Sequence, residues 1–315
     1  MKIAIMESLA VSSEELALRK LSFEKEGHVF AEFERTADIP TLIEEAKDAD
    51  VMILANMPMP KEVINACKNL KYIDIAFTGV DHVAMDAVRA KGITASNASG
   101  YSNESVAELG IGLAIDLLRN IPQVEARCRA LGTKAGLVGN ELMGKTVGII
   151  GLGKIGTRSA ELFHAFGCSI LAHSRSIHKD APFYVEQTDL DSLLSRSDLV
   201  ILHCPLNDST RGLINAEALK KMKPSAYLIN LARGPVVVSK DLADALNNGV
   251  IAGAAVDVFD KEPPLNADEP LLSAKNTILT PHIAFASQES MSIRAEIVFD
   301  NLRHFLDKDP INIVH

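Results

Sequence analysis

Short apolar, β-branched runs alternate with longer stretches of helical period along the whole chain. In the first third, residues 2–6 (K-I-A-I-M), 50–54 (D-V-M-I-L), 72–76 (Y-I-D-I-A) and 93–96 (I-T-A-S) predict strands. Helical patterns follow them. Over 12–27 the apolar positions Leu16, Leu18, Leu21 and Phe23 recur, and Gly27 supplies a stop. Near-continuous apolar strands alternating with helices imply a parallel sheet covered on both faces. The second part repeats the scheme, with strands predicted at 146–150, 169–172, 198–202, 226–230, 252–256 and 277–280. Helical patterns at 155–166, 189–196, 215–222 and 239–248 lie between them, which predicts a doubly wound domain. The segment 103–120 is apolar nearly all round and should be buried between domains or subunits. A last helical pattern at 287–307 is expected to return to the first domain and make it discontinuous.

Composition narrows the function classes. A chain of 315 residues suits two domains, at about 150 residues each. With 47% hydrophobic and 23% charged residues it is an ordinary globular composition, not a disordered one. The formal net charge is -9 with no basic block, which excludes nucleic acid and anionic membrane surfaces as natural partners. No run approaches the roughly 18 apolar residues of a membrane span, and the N-terminal M-K-I-A-I-M-E-S has no signal-peptide character. Cys67, Cys128, Cys168 and Cys204 are scattered without a C-x-x-C, so neither a disulfide framework nor a metal site is expected. The expectation is a soluble, cytoplasmic, two-domain protein.

The strongest chemical signal is Gly151-Leu152-Gly153-Lys154-Ile155-Gly156, directly after the apolar T-V-G-I-I and opening a helical pattern. Gly151 permits the tight turn, Gly153 lets a pyrophosphate approach the backbone, and Gly156 lets the helix pack closely on the strand. A ribose-reading carboxylate would stand about 20 residues on, after the second strand. There the sequence reads I-L-A-H-S-R-S, with Ser174 and Arg175 at the position and no Asp or Glu before Asp180. A carboxylate would repel a 2′-phosphate, whereas Ser174 and Arg175 would bond and neutralise it, which favours NADP(H) over NAD(H).

Three polar residues follow predicted strand ends: Arg233 in I-N-L-A-R-G-P, Glu262 in V-D-V-F-D-K-E-P-P and His282 in L-T-P-H-I-A. In open α/β sheets the carboxyl ends of strands face the ligand crevice, so these three can converge on one substrate. Singly, each also reads as an ordinary surface or core polar residue. Beside a nucleotide site they fit reduction of a ketone. A histidine exchanges protons near neutral pH, a carboxylate beside it would orient the ring, and an arginine fork would hold a 2-oxo acid.

With these motifs in view, the chain resembles the D-isomer-specific 2-hydroxyacid dehydrogenases over nearly its whole length. The resemblance runs through A-F-T-G-V-D-H-V at 76–83, N-A-S-G-Y-S-N-E-S-V-A-E at 97–108, G-L-G-K-I-G at 151–156 and H-C-P-L-N-D-S-T-R-G-L-I at 203–214. It continues in N-L-A-R-G-P-V-V at 230–237, A-A-V-D-V-F-D-K-E-P at 254–263 and T-P-H-I-A at 280–284. It implies a flavodoxin-like substrate domain of residues 1–98 plus 286–315 and a Rossmann-type cofactor domain of residues 99–285, both doubly wound parallel α/β, with an active-site cleft between them. The implied catalytic set is Arg233, Glu262 and His282, and Gly79 and Val80 would offer backbone N–H groups to the substrate carboxylate. Asp257 would bond the nicotinamide carboxamide, Val106 would pack nearby, Cys204 and Pro205 would edge the adenine site, and Leu231 and Ala232 would line the cofactor. The family is typically dimeric, so a homodimer is implied, with 103–120 at its interface.

Within the family, G-Y-S-x-x-S-V-A-E is most similar to glycerate dehydrogenases, also called hydroxypyruvate or glyoxylate reductases. Ala84 departs from a common acidic residue. The A-N-M-P-M-P loop after 50–54 lacks the Arg that phosphoglycerate dehydrogenases carry, which ranks D-3-phosphoglycerate second as substrate, with Lys61 as a substitute cation. A catalytically silent, nucleotide-sensing binding protein is the remote alternative.

Overall fold

The computed structural model describes residues 1–261 and 264–314. The chain divides into two compact units, Met1–Ser102 with Ala286–His315, and Asn103–Phe285. Ala98 bonds back to Ile75 and Phe77 of the first unit.

The first unit is built on five parallel strands, β1 (Lys2–Ile5), β2 (Val29–Glu32), β3 (Val51–Leu54), β4 (Tyr72–Ile75) and β5 (Thr94–Asn97). They lie in the order β2-β1-β3-β4-β5, so the chain reverses direction across the sheet between β1 and β3. Every residue of β3 and β4 is buried, which is why both read as unbroken apolar runs apart from Asp74. No alternating or apolar pattern marks β2 in the sequence. It is an edge strand whose Val29 is 63% exposed, so no core face imposes an apolar pattern on it.

The helix Ser13–Lys25 starts where Ser12 accepts from the Glu15 N–H, and Gly27 follows its end at φ +87°. Of the periodic set only Phe23 is fully buried, against Phe30 and Phe299, while Leu18 and Leu21 are exposed. The last helix, Gln288–Leu306, opens with a reciprocal cap between Ser287 and Ser290. Its buried Asn301 donates to Asp74 Oδ1 and to the Asn97 carbonyl, both at 3.1 Å, which fastens the helix to β4 and β5.

The second unit holds seven parallel strands: β6 (Thr146–Ile150), β7 (Ser169–His173), β8 (Val185–Gln187), β9 (Leu199–Leu202), β10 (Tyr227–Asn230), β11 (Gly253–Val256) and β12 (Thr277–Leu279). Their order is β12-β11-β10-β9-β6-β7-β8, with the reversal between β6 and β9. Strand alternation sorts the core into two layers. Leu199 and Ile201 join Ile149, Ile229 and Phe163 on one side, and Val200 and Leu202 join Leu193, Leu219, Leu228 and Leu242 on the other. The helix Asn103–Arg119 belongs to the first layer through Val106, Ile111, Leu113, Ala114, Leu117 and Leu118. The apolar 103–120 segment is therefore buried inside its own unit, where a side chain at Gly110 would come within 2.8 Å of Ile201 Cδ1. Its successor, the helix Ile121–Arg129, has no buried residue. Among the described residues no helix is long and apolar enough to cross a membrane.

Candidate active site

Strand register gathers the chemical residues of the second unit on one edge. Ile150 pairs with His173 and Leu202, Leu202 with Asn230, Asn230 with Val256, and Val256 with Leu279. Each is the last or next-to-last level of its strand. The residues that follow, Gly151, Ser174, His203–Cys204, Leu231–Arg233, Asp257 and Thr280–His282, therefore all extend the carboxyl edge of the sheet. That is the edge where open α/β sheets bind ligands, centred on the reversal point between β6 and β9.

The glycine turn is shaped for a diphosphate. Gly151 sits at φ +99°, and a Cβ there would lie 2.6 Å from the Cys204 nitrogen. A Cβ at Gly156 would lie 2.0 Å from the Gly151 carbonyl oxygen, so only glycine lets the helix Lys154–Ala165 approach β6. At Gly153 a Cβ would meet nothing within 4 Å, and that open space lies at a helix N-terminus with no side-chain cap. Uncapped N–H groups beside open space fit the pyrophosphate of a dinucleotide. Ser174 accepts from the Leu152 N–H at 3.0 Å, binding the end of β7 to this turn. Its hydroxyl hydrogen remains available to a ribose or phosphate oxygen. Lys154 and Arg175 are exposed, Ile155 is half-buried, and no carboxylate stands between Ser174 and Asp180.

Behind the turn, His203 pairs its Nε2 with Ser159 Oγ at 2.9 Å, and its Nδ1 is buried without a partner among the described residues. Burial pushes this imidazole down to about 3, so it is neutral in the folded protein. An unfolded histidine protonates near pH 6.5, so the unfolded state gains the proton first as pH falls. Stability is thus retained above that value and lost below it. Between pH 7 and pH 5 the loss attributable to His203 should reach about 2 kcal/mol. Urea midpoints at the two pH values should show a flatter dependence in His203→Gln than in the parent. Equal slopes would remove His203 as a source of acid sensitivity. Cys204 is also buried, and burial pushes its thiol up to about 11, which makes it a packing group.

Arg233 lies on a turn braced by Asn230, a residue only 1% exposed. The Asn230 side chain accepts from the Ala232 N–H and donates to the Arg233 carbonyl, both at 3.1 Å, and Arg233 Nη1 donates to the Ala232 carbonyl at 2.8 Å. A Cβ on Gly234 would fall 2.0 Å from the carbonyl carbon of Phe259, so glycine alone lets this turn rest against the segment after β11. Glu262, on that segment, lies outside the described residues.

Asp257 and His282 form one assembly. The Asp257 carboxylate is fully buried and accepts from Thr280 Oγ1 at 2.6 Å, from the Ile283 N–H at 2.8 Å and from the Ala284 N–H at 2.9 Å. The His282 N–H donates to the Asp257 carbonyl at 2.7 Å. Burial pushes the carboxyl above its usual range, opposed by the bonds from Thr280, Ile283 and Ala284 and by the charge of His282. The loop so held puts His282 at φ +56°, a left-handed conformation that costs a side-chain-bearing residue about 1–3 kcal/mol unless its surroundings enforce it. The half-buried ring lies edge-on to Phe285, with centroids 5.2 Å apart.

The positioning roles of Asn230 and Thr280 were not read from the sequence. The signal was present: a single polar residue ends the apolar run A-Y-L-I-N, and Thr280 opens T-P-H-I-A. Val106, Leu231 and Ala232 are buried and Pro205 is exposed in this same unit. Gly79 and Val80 are half-buried and follow β4 in the first unit.

Residues 111–284 match the family model of the D-isomer specific 2-hydroxyacid dehydrogenase, NAD binding domain. The chain is 34% identical over 326 residues to a hydroxypyruvate reductase of Blautia hydrogenotrophica, covering all of both chains. It is 39% identical over 270 residues to a glyoxylate reductase of Thermofilum pendens, covering 83% of this chain and 79% of that one. Among solved structures it is similar to an acyclic imino acid reductase in complex with NADPH and D-Arg, with a TM-score of 0.90, 27% identity and full coverage of both chains.

Proposed function

The chain belongs to the D-isomer specific 2-hydroxyacid dehydrogenases, and we propose that it reduces hydroxypyruvate or glyoxylate, using NADP(H) ahead of NAD(H). What supports the reading most is that Arg233, Asp257 and His282 extend neighbouring strands on the edge that also carries the Gly151–Gly156 turn. The likeness to hydroxypyruvate and glyoxylate reductases supports the substrate class.

When bound, a reduced nicotinamide cofactor would supply the hydride that the 2-oxo carbon takes up. Arg233 pairs its guanidinium with the substrate carboxylate and polarises the adjacent carbonyl. His282 donates a ring N–H to the carbonyl oxygen and passes that proton to it as the alcohol forms. Glu262 keeps the role of orienting the imidazole. The backbone N–H groups of Gly79 and Val80 are the further donors for the carboxylate. Of the roughly four lone-pair positions on the Asp257 carboxylate, three are taken by its own loop, which leaves one for the carboxamide. Val106, Leu231 and Ala232 contribute apolar surface to the cofactor, and Cys204 and Pro205 edge the adenine.

The cofactor preference rests on Ser174 and Arg175. A charge-assisted bond to a 2′-phosphate contributes about 1.5–3 kcal/mol, or roughly 10- to 150-fold. The test is kcat/KM for NADPH and NADH with a panel of small 2-oxo acids, in the parent and in Ser174→Asp. The aspartate should swing the ratio towards NADH, by adding a ribose acceptor and a repulsive charge. A parent that already favours NADH, with a ratio unmoved by Arg175→Ala, sinks the NADP(H) assignment. Absence of turnover on every 2-oxo acid sinks the enzymatic reading and favours the silent nucleotide-binding alternative.

The protein is a homodimer in this reading. Support comes from the Ile121–Arg129 helix, which buries nothing, and from Leu131, Val138 and Met143 beyond it, exposed at 95%, 79% and 73%. A surface of this kind needs a partner, and a second copy is the simplest one.

A further inference from the structure

The loop that carries Arg175 leaves β7 and returns to β8, and bonds fix it at two points. At the first, Ser174 is tied to the glycine turn, and His173 Nδ1 beside it donates to the Thr188 carbonyl at 3.1 Å. At the second, Gln187, the last residue of β8, closes a two-bond ring on His178. Its Oε1 accepts from the His178 N–H and its Nε2 donates to the His178 carbonyl, both at 2.8 Å. The same carbonyl takes a longer bond from the Ala181 N–H at 3.3 Å. Gln187 is level with Ala172 of β7, and the Thr188 N–H donates to the Ala172 carbonyl at 2.9 Å, so the clamp stands on the sheet.

Among side chains, a carboxamide is the group suited to this ring. It offers an acceptor and a donor side by side, matching the N–H and C=O of one residue, whereas a carboxylate lacks the donor and an ammonium the acceptor. The clamp leaves Arg175, Ser176 and Ile177 as a short bridge between two fixed points, and all three are exposed. Burial does not hold this bridge, so its course is set by the bonds at Ser174 and His178.

From this geometry we infer that Gln187 is a positioning residue for cofactor selection: by clamping His178 it fixes the bridge that aims Arg175 at the 2′-phosphate of NADP(H). The inference rests on the reading of Ser174 and Arg175 given above. A backbone already held loses less freedom when its guanidinium engages a phosphate, so the clamp should be felt in the affinity for that phosphate and not elsewhere on the nucleotide. Ser174 has its own bond to the Leu152 N–H and needs no help from Gln187.

Adenosine 2′,5′-bisphosphate and 5′-AMP differ only by that phosphate, and their dissociation constants are titrated without turnover. The parent should bind the bisphosphate about tenfold or more tightly than 5′-AMP. Gln187→Met, close in volume and unable to form either bond, should lower that ratio about three- to tenfold, while the 5′-AMP constant moves less than about twofold. Gln187→Asn keeps the amide on a shorter stem, should give an intermediate ratio, and serves as the reading if the methionine variant misfolds. In an Arg175→Ala background, Gln187→Met should change the ratio less than about twofold, because the two residues act through one contact. A parent ratio well above one that neither Gln187 variant lowers, an equal loss for both nucleotides, or an undiminished effect in the Arg175→Ala background overturns the inference and leaves Gln187 a structural residue of the loop. A parent ratio near one removes the 2′-phosphate reading itself, and the positioning role with it.

Discussion

Replacing His282 with alanine should lower kcat for 2-oxo acid reduction by about 10²–10⁴, the usual scale of a lost general acid. The dissociation constant of the reduced cofactor should hardly move, since the imidazole acts at the substrate oxygen. The loop geometry makes the prediction sharp. Thr280, Ile283 and Ala284 are bonded to Asp257 through a hydroxyl and two backbone N–H groups, none of which belongs to the His282 side chain. Truncating the ring therefore leaves the loop's anchors intact. Alanine keeps the strain of φ +56°, so His282→Asn is the companion variant, because asparagine tolerates the left-handed region. Both should retain the parental melting temperature to within a few degrees and both should be slow. Near-normal kcat in either would remove His282 from proton transfer.

The legible parts of this chain are those where burial acts on every residue. Strand β9, L-V-I-L, is buried throughout and could be read at once, whereas β2 and β8, at sheet edges, carry V-F-A-E and V-E-Q with no such constraint. The first helix could be located from its period and its stop, yet its core side could not. Leu18 and Leu21 satisfy the period and are exposed, and only contact with Phe30 and Phe299 singles out Phe23. The glycine turn was legible because strand, glycine spacing and helix are contiguous. Asp257 was legible only as a cofactor group, since its donors stand 23, 26 and 27 residues on, brought to it by the pairing of β11 with β12. Arg35 bonds Asn56 from 21 residues away, a contact that no local pattern in the sequence marks.

Asp257→Ala should be nearly as damaging to turnover as loss of the histidine, though by a different route. The substitution removes the acceptor of one hydroxyl and two N–H groups that are held at 2.6–2.9 Å. Each buried donor left without a partner costs about 1–3 kcal/mol, so the loop should shift to find other acceptors. The His282 N–H bonds to the Asp257 and Thr280 carbonyls survive in principle, but a shared backbone N–H does not by itself fix a residue in the left-handed region. A displacement of about 1 Å in a proton donor lowers the rate about 10²-fold. The expected result is thus a fall in kcat of about 10² or more, with a melting temperature several degrees below the parent. Asp257→Asn separates the two roles assigned to this carboxylate. An amide offers one acceptor oxygen and must turn an N–H₂ towards donors, so the loop should loosen and kcat should drop even with cofactor at saturation. Were Asp257 only a partner of the nicotinamide carboxamide, both variants would raise the cofactor dissociation constant, saturating cofactor would restore kcat, and thermal stability would stay at the parental value. Measuring kcat at saturating cofactor, the cofactor dissociation constant by fluorescence titration and the melting temperature on the same preparations decides between a group that holds the cofactor and one that holds the histidine loop.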